Sequence, residues 1–399
     1  MPGTHRLNSP EVFSNKLFEV MKGIQPGIAE LHLIEFCYAL ENLLPERGWD
    51  SVSLDSAETI ECLISSREFY ESIQLKPRVG ESIVLDKSIS RLTQMLFVGL
   101  VEGNYSSRWV IDRFYFDIRS FFFLPRTRYF TEKILAHFRG EPFLTFEKRQ
   151  VLVESLPEIG YCDFMQANEE IDRAFIECIK SLITVRGTPV LVTLAGPTAA
   201  GKTEITERLH SELVAMGRLV STIEVDNFLL DRDMREDKKM GKESTHFDIM
   251  KCSLEEILQN RRVLIPRYDF VNATSSHNAD GSLRAGRLPL EIEPADVIFM
   301  EGNFPFHIEE ITKMIGLKVV YLTDDPIRLK RKWKRDIDYR KKYDPAYFRN
   351  RYFRTQFLRA QDIYLPLMEV CDMVVDTTNA SLWVTPELGE ILDQEKVLL

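Results

Sequence analysis

The sequence contains no apolar run long enough to cross a membrane. Its richest apolar stretch, residues 110–124, is interrupted by two aspartates and two arginines, whereas a transmembrane helix needs about 20 predominantly apolar residues. The first residues, Met1-Pro2-Gly3-Thr4-His5-Arg6, also lack the apolar centre of a signal peptide. We therefore expect a soluble, cytoplasmic protein with no membrane partner.

Cysteine is scarce and shows no pairing pattern. The 399 residues include six cysteines, and none belongs to a C-x-x-C pair or to a Cys/His spacing typical of zinc sites. In a chain of this length we expect them to be thiols in a reducing compartment. Internal repeats and low-complexity segments are also absent. A net charge of −10 at pH 7 disfavours binding to nucleic acid, so no nucleic-acid partner is expected.

The chain is long enough for two domains, and its character changes part-way along. In the first part apolar residues recur at helical spacing, for example at Leu17, Val20 and Ile24. The sequence therefore predicts a mainly helical domain of unknown role over residues 1–185. Its last helix is expected to begin after a cap at Asn168.

An aromatic-rich segment lies within this first domain, with Phe114-Tyr115-Phe116 followed by Phe121-Phe122-Phe123. Such a cluster is typical of a buried core. The alternative is a partner surface or a dimer interface. Homo-oligomer formation through the N-terminal domain therefore stays open.

In the second part, residues 186–399, short apolar runs alternate with helical segments. A continuous apolar run suits a strand that is covered on both faces, so the alternation predicts an α/β fold with a parallel sheet flanked by helices. The apolar runs are residues 190–195, 297–300, 317–322 and 373–375, and the helical segments are residues 202–216, 254–260, 326–339 and 345–369.

The sharpest motif follows the first apolar run and precedes a helical segment. It matches the pattern G-x-x-x-x-G-K-[ST] in full, which is the phosphate-binding loop, or P-loop, of many nucleotide-binding proteins. The predicted fold is therefore of the P-loop NTPase type. A chance glycine-rich turn is the alternative, and the strand–loop–helix context disfavours it. The motif consists of Gly196, Pro197, Thr198, Ala199, Ala200, Gly201, Lys202 and Thr203.

Each part of this loop has a chemical reason. Glycines allow a tight backbone whose N–H groups point at phosphate oxygens, and the following helix adds positive potential at its N-terminus. Lys202 is expected to neutralise charge on the β- and γ-phosphates, and the Thr203 hydroxyl to ligate Mg²⁺. ATP and Mg²⁺ are the cofactors that this motif predicts.

Two acidic residues follow apolar strands, where ligands of open α/β sheets bind. Asp226 follows residues 220–225, and Glu301 follows residues 297–300. We assign Asp226 as the base that accepts the proton of a hydroxyl nucleophile, and Glu301 as a metal ligand, directly or through water. The alternatives are a helix-cap or turn role for Asp226 and an indirect, orienting role for Glu301.

An ordered set of motifs over about residues 187–380 resembles the uridine kinase and phosphoribulokinase family of P-loop kinases. The first motif is shared with many nucleotide-binding proteins, whereas the ordered set is specific. The set comprises residues 196–203, Val225-Asp226-Asn227-Phe228, His246-Phe247-Asp248, Ile265-Pro266-Arg267-Tyr268-Asp269-Phe270, residues 294–302 and residues 328–336.

The resemblance implies roles for matching positions. Asp226 corresponds to the catalytic base, Asp248 to an acid that holds substrate hydroxyls, and Tyr268 and Phe270 to residues of the substrate pocket. The basic run at residues 330–342 falls where the family carries a lid over the triphosphate, although a solvated helix face or a nucleic-acid patch is also open. The arginines expected in the lid are Arg331, Arg335 and Arg340.

The sequence departs from the pyrimidine-specific members at several positions. A Tyr shortly after the base is replaced by Phe228 and Leu229, a His after the pocket Phe by Ala273, and a later Gln by Arg351. Loss of polar groups that recognise a base should relax pyrimidine selection. Arg351, with its neighbouring arginines, is a candidate for receiving an anionic substrate such as a phosphorylated sugar; the alternative is an ordinary helix surface.

Taken together, these features predict an ATP-dependent small-molecule kinase that phosphorylates a hydroxyl of a nucleoside, sugar or sugar phosphate. Two alternatives stay open. One is a non-catalytic nucleotide-binding switch, against which the three acids Asp226, Asp248 and Glu301 argue. The other is a kinase that acts on a macromolecule.

Overall fold

The computed structural model describes residues 10–73, 87–118, 121–156, 159–235, 238, 241–305, 308–335 and 357–394. These residues fall into two compact units. The first unit holds the described residues within 10–127 and 151–159 together with residues 357–358, and the second holds the other described residues. None of the described helices is both long and apolar enough to cross a membrane.

The first unit is mainly helical, as the sequence predicts, and it also contains one β-hairpin. Ser56, Ser66 and Ser106 cap three of its helices by accepting a hydrogen bond from a backbone N–H of the first turn. Its elements are α1 (Pro10–Ile24), α2 (Leu33–Glu41), α3 (Ala57–Ser65), α4 (Arg67–Ser72), α5 (Lys87–Glu102), α6 (Ser107–Arg113), β1 (Phe114–Asp117) and β2 (Phe122–Pro125).

The aromatic-rich segment forms the core of this unit. The hairpin residues Phe116, Phe121 and Phe123 pack against Phe97 of α5, with ring centroids 5.7 to 6.4 Å apart. All four rings are buried. The prediction of a buried core is therefore confirmed.

The second unit is built on a seven-stranded sheet with the order β3-β13-β12-β11-β4-β10-β5. Five neighbouring strands run parallel, and at one edge β13 pairs antiparallel with β12 and β3 pairs antiparallel with β13. The strands of this sheet are β3 (Leu144–Thr145), β4 (Val190–Ala195), β5 (Val220–Glu224), β10 (Val297–Gly302), β11 (Leu317–Leu322), β12 (Met373–Asp376) and β13 (Ser381–Val384). Two separate two-stranded sheets pair β6 (Val263–Ile265) with β9 (Leu290–Ile292) and β7 (Tyr268–Asp269) with β8 (Thr274–Ser275).

Helices cover both faces of this sheet, which explains the uninterrupted apolar runs. Along β4, Val192 and Leu194 belong to a core shared with α9, α10 and α15, whereas Leu191 and Ala195 face a core that includes α7 and α11. The predicted α/β fold is confirmed. The helices of this unit are α7 (Glu132–His137), α9 (Tyr161–Val185), α10 (Lys202–Ala215), α11 (Phe247–Leu258), α12 (Glu309–Thr312), α13 (Asp325–Lys334), α14 (Leu365–Met368) and α15 (Pro386–Gln394), whereas α8 (Gln150–Ser155) belongs almost entirely to the first unit.

Helix α9 begins earlier than expected. Its cap is Gly160, whose N–H donates to the Asp163 carboxylate at 2.9 Å. The predicted cap, Asn168, lies inside the helix, is buried and accepts a hydrogen bond from Gln150 Nε2 at 3.0 Å. Because α9 packs on the sheet, residues 160–185 group with the second unit. A functional boundary at residue 185 stays a prediction.

The outer edge of β13 is covered by a segment that precedes the phosphate-binding loop in sequence. Leu382 pairs with Leu144 of β3, and the neighbouring backbone groups continue this contact. Phe143 N donates to Leu382 O at 2.8 Å, and Phe146 N donates to Ala380 O at 2.8 Å. Residues upstream of the α/β alternation therefore complete the sheet.

Candidate active site

The loop from Gly196 to Thr203 has a backbone that only glycine permits at two positions. Gly196 has φ +151°, and a Cβ there would lie 2.2 Å from the carbonyl oxygen of Tyr321. Gly201 has φ +107° and starts α10, and a Cβ there would lie 2.8 Å from the Phe164 ring. Close approach of β11 and α9 therefore explains both glycines of the motif.

Lys202 turns back onto the loop. Its Nζ donates to the carbonyl oxygens of Gly196 at 3.0 Å and Pro197 at 3.2 Å. Loss of water around the ammonium lowers the pKa of Lys202, and the carboxylates of Glu301 and Asp226 act in the opposite direction. The lysine is therefore held against the loop by bonds that a phosphate oxygen can replace.

Glu301 lies at the end of β10, beside the strand that leads into the loop. Its Oε1 accepts a hydrogen bond from Thr203 Oγ1 at 2.9 Å, while its Oε2 is buried and has no hydrogen-bond partner among the described residues. Burial raises the pKa of Glu301 to about 7, although Lys202 and the Thr203 hydroxyl oppose this effect. A buried carboxylate oxygen that lacks a partner is suited to a cation.

This donor set fits Mg²⁺. The ion takes oxygen ligands, and it is commonly held by one or two protein groups together with phosphates and water. The Thr203 hydroxyl and the Glu301 carboxylate supply such groups beside the loop. Among the described residues, no three His, Cys, Asp or Glu side chains come together as a metal site of their own.

Asp226 lies directly after β5, in a single 3₁₀ turn that spans Val225–Phe228. It is half-buried, and its negative charge acts on both Lys202 and Glu301. Because β5 pairs with β10, the two predicted acids lie at the same edge of the sheet. The structure thus brings Asp226 into electrostatic reach of the loop, while its role as base stays a prediction.

Asn227, next to the predicted base, connects it to β7. Its Oδ1 accepts a hydrogen bond from Tyr268 N at 3.1 Å. The Tyr268 and Phe270 rings pack edge to face with centroids 5.2 Å apart. Asn227 belongs to the motif Val225-Asp226-Asn227-Phe228, but its contact with Tyr268 becomes apparent only in the folded structure.

Tyr268 also contacts an arginine that sequence reasoning missed. Arg235 Nη2 donates to Tyr268 Oη at 2.6 Å, and Arg235 Nε donates to Leu230 O at 2.7 Å. Asp248, the predicted ligand of substrate hydroxyls, is exposed in the first turn of α11. Among the described contacts, Asn227 connects Tyr268 to its own chain neighbour Asp226, the predicted base.

The predicted lid arginines have different outcomes. Arg331 of α13 donates to Ala199 O at 3.2 Å, forms an ion pair with Glu204 and lies against the face of the Phe164 ring. Arg335 is close enough for its charge to oppose protonation of Lys202. Arg340 and Arg351 lie outside the described residues. Phe164 carried no sequence signal, since it belongs to no motif.

Residues 191–377 match the protein family described as "Phosphoribulokinase / Uridine kinase family". A uridine kinase of Lactobacillus helveticus (strain DPC 4571) is 25% identical over 221 residues, which cover 52% of this chain and 97% of that protein. Uridine-cytidine kinase 2-B of Danio rerio is 28% identical over 202 residues, covering 47% of this chain and 72% of that protein.

Among solved structures, a D-glycerate 3-kinase from Cryptococcus neoformans aligns with 53% of this chain and 97% of its own chain, at 13% identity and a TM-score of 0.36. The family match confirms the predicted resemblance for residues 191–377. It also confirms the prediction of a small-molecule kinase, together with the sequence relatives. The residues before 191 lie outside the family match.

Proposed function

We propose that the second unit transfers the γ-phosphate of ATP to a hydroxyl of a small metabolite, which is a nucleoside, a sugar or a sugar phosphate. The observation that supports this most strongly is the cluster of Lys202, Thr203 and Glu301 at the loop, with Asp226 in electrostatic reach. A loop that only bound nucleotide would not need the further acid. A phosphotransferase, in contrast, requires a carboxylate such as Asp226 to orient the acceptor hydroxyl and take its proton.

Nucleotide binding would use the backbone N–H groups of residues 196–203 and the N-terminus of α10. Lys202 would exchange its two carbonyl acceptors for phosphate oxygens. Thr203 and Glu301 would hold Mg²⁺, which neutralises charge on the β- and γ-phosphates when bound. Arg335, whose charge already reaches Lys202, would add to the positive potential around the transferred group.

The chemical step assigned to Asp226 is proton acceptance. As the acceptor oxygen forms a bond to the γ-phosphorus, its O–H proton moves to the Asp226 carboxylate. The bond between the γ-phosphorus and its bridging oxygen breaks, and the electron pair leaves with ADP. Tyr268 and Phe270 would line the acceptor pocket, and the exposed Asp248 would bind acceptor hydroxyls.

Incubation with Mg·ATP and a panel of nucleosides, sugars and sugar phosphates tests this proposal, with products identified by mass spectrometry. We expect one class of acceptor to yield a product heavier by one phosphoryl group, with ADP formed in equal amount. Nucleotide binding without any phosphorylated small molecule would favour a regulatory switch. Phosphorylation of added peptides alone would favour a macromolecular substrate.

A further inference from the structure

Arg235 is fixed against the predicted acceptor pocket at two points. Its Nε donates to Leu230 O at 2.7 Å and its Nη2 donates to Tyr268 Oη at 2.6 Å. The guanidinium carbon also lies 5.4 Å from the centroid of the Tyr268 ring. These contacts orient the guanidinium and use two of the five N–H donors of an arginine; no acceptor for Nη1 occurs among the described residues.

Arg235 differs from two other arginines of the same unit in the charge of its partners. Arg284 pairs with Asp231 at 2.7 Å, and Arg331 pairs with Glu204. Among the described residues, no carboxylate lies within ion-pair distance of Arg235, which is half-buried. Its partners among the described residues are a carbonyl oxygen and a hydroxyl, both neutral, and a half-buried cation in such surroundings is stabilised when an anion arrives.

The position of Arg235 links it to the predicted chemistry. Tyr268, which orients the guanidinium, is held through its backbone N–H by Asn227, at 3.1 Å. Asn227 is the residue that follows the predicted base, Asp226. A ligand held by Arg235 at Tyr268 is therefore tied, through two residues, to the carboxylate that would receive its proton.

We propose that the acceptor is a small anion, and that Arg235 binds its phosphate or carboxylate group. A guanidinium forms paired hydrogen bonds with either group, so both are included. We therefore expect sugar phosphates or hydroxy acids to be better acceptors than neutral nucleosides. This inference rests on the proposed phosphotransferase function.

Matched acceptor pairs test the inference directly. The full-length protein is assayed with Mg·ATP and ribose or ribose 5-phosphate, glycerol or glycerate, and uridine or uridine monophosphate. We expect the charged member of at least one pair to have the higher kcat/KM, by about tenfold or more. Preference among the phosphates and the carboxylate then identifies which anionic group is bound.

Arg235→Gln tests the residue. We expect the ratio of kcat/KM for the charged acceptor over its neutral partner to fall on the order of 100-fold, mainly through KM. Arg235→Lys, which keeps the charge but loses the fork of donors, should give a smaller loss. Arg267→Gln is the matched control, because Arg267 is exposed, lies next to Tyr268 and changes the net charge equally; its ratio should stay within about twofold.

The outcomes separate the two proposals. If the neutral members are the better acceptors, or if Arg235→Gln leaves the ratio unchanged, the anionic acceptor is wrong and the kinase assignment stands. If neither these pairs nor the wider panel of nucleosides, sugars and sugar phosphates yields a phosphorylated product, the kinase assignment fails and the acceptor inference fails with it. Should Arg235→Gln not fold, Arg235→Lys and Tyr268→Phe supply the same comparison, since the latter removes the hydroxyl that orients Arg235.

Discussion

The guanidinium carbon of Arg331 lies 3.8 Å from the centroid of the Phe164 ring. The same arginine donates to the carbonyl oxygen of Ala199, inside the phosphate-binding loop, and pairs with Glu204 of α10. Helix α9 therefore supports the loop from outside the segment that matches the kinase family. In this structure Arg331 contacts the loop from α13, and its predicted role in a lid stays a prediction.

Phe164→Leu should weaken ATP binding about fivefold, because about 1 kcal/mol of cation–π attraction is lost while the apolar contact with Gly201 is mostly kept. Titration calorimetry with Mg·ATP measures the change. Phe130→Leu is a suitable control, since Phe130 packs on Trp383 in the same unit, away from the loop contacts. Equal losses of affinity in both variants would argue against a specific support by Phe164.

Gly196→Ala should abolish detectable ATP binding. The new Cβ would lie 2.2 Å from the carbonyl oxygen of Tyr321, so the loop or β11 has to move. Gly187→Ala is the matched control, since no atom of the described residues lies within 4 Å of its Cβ position. ATP affinity and thermal unfolding are measured for both. Normal ATP affinity in Gly196→Ala would contradict the close approach of loop and strand.

Asp226→Asn should lower kcat by about 100-fold or more while ATP affinity changes little, because a general base contributes to the chemical step and not to nucleotide binding. Steady-state kinetics with the preferred acceptor and calorimetry with ATP separate the two effects. Asp233→Asn removes the same charge from an exposed position nearby and should retain activity. An Asp226→Asn variant with normal kcat would show that the base is wrongly assigned.

Glu301 should make the nucleotide-free protein less stable as the pH rises. Its pKa is raised from 4.5 to about 7 in the folded protein, so the folded state binds the proton more tightly than the unfolded chain does. This tighter proton binding adds a total of about 3 kcal/mol to the free energy of unfolding. The contribution is complete below about pH 4.5 and is lost as the pH rises through about 7.

Denaturant unfolding of wild type and Glu301→Gln between pH 5 and pH 8 measures this effect. The difference between the two proteins isolates Glu301 from other titrating groups such as Asp172, whose pKa burial raises to about 6. We expect Glu301→Gln to become the more stable of the two near pH 8. Parallel pH profiles would contradict the buried, proton-binding carboxylate. The same variant should bind Mg²⁺ more weakly in the presence of ATP.

The sequence was most informative where local patterns determine structure. The glycines of the loop and the apolar run of β4 predicted a phosphate cradle and a covered strand, because both follow from backbone sterics and burial. Asp226 and Glu301 could be found because parallel strands end at one edge of a sheet.

Other features depend on contacts between distant segments and left no local signal. The helical period of α9 does not reveal that Phe164 faces Gly201. The motif around Asp226 does not reveal that Arg235 reaches Tyr268. The two residues of β3 are too few for a recognisable strand pattern, and the predicted cap at Asn168 was wrong because helix α9 continues upstream with Gly160 as its cap.

The pairing of β3 with β13 bears on how this protein can be divided for study. A fragment that starts at residue 186 would lose Phe143 and Phe146 with their backbone hydrogen bonds, and β13 would become a bare strand edge. It would also lose α9, so apolar residues of β4 would meet water. Bare edges and uncovered sheet faces promote aggregation. A recombinant fragment of the sheet unit should therefore begin upstream of Phe143.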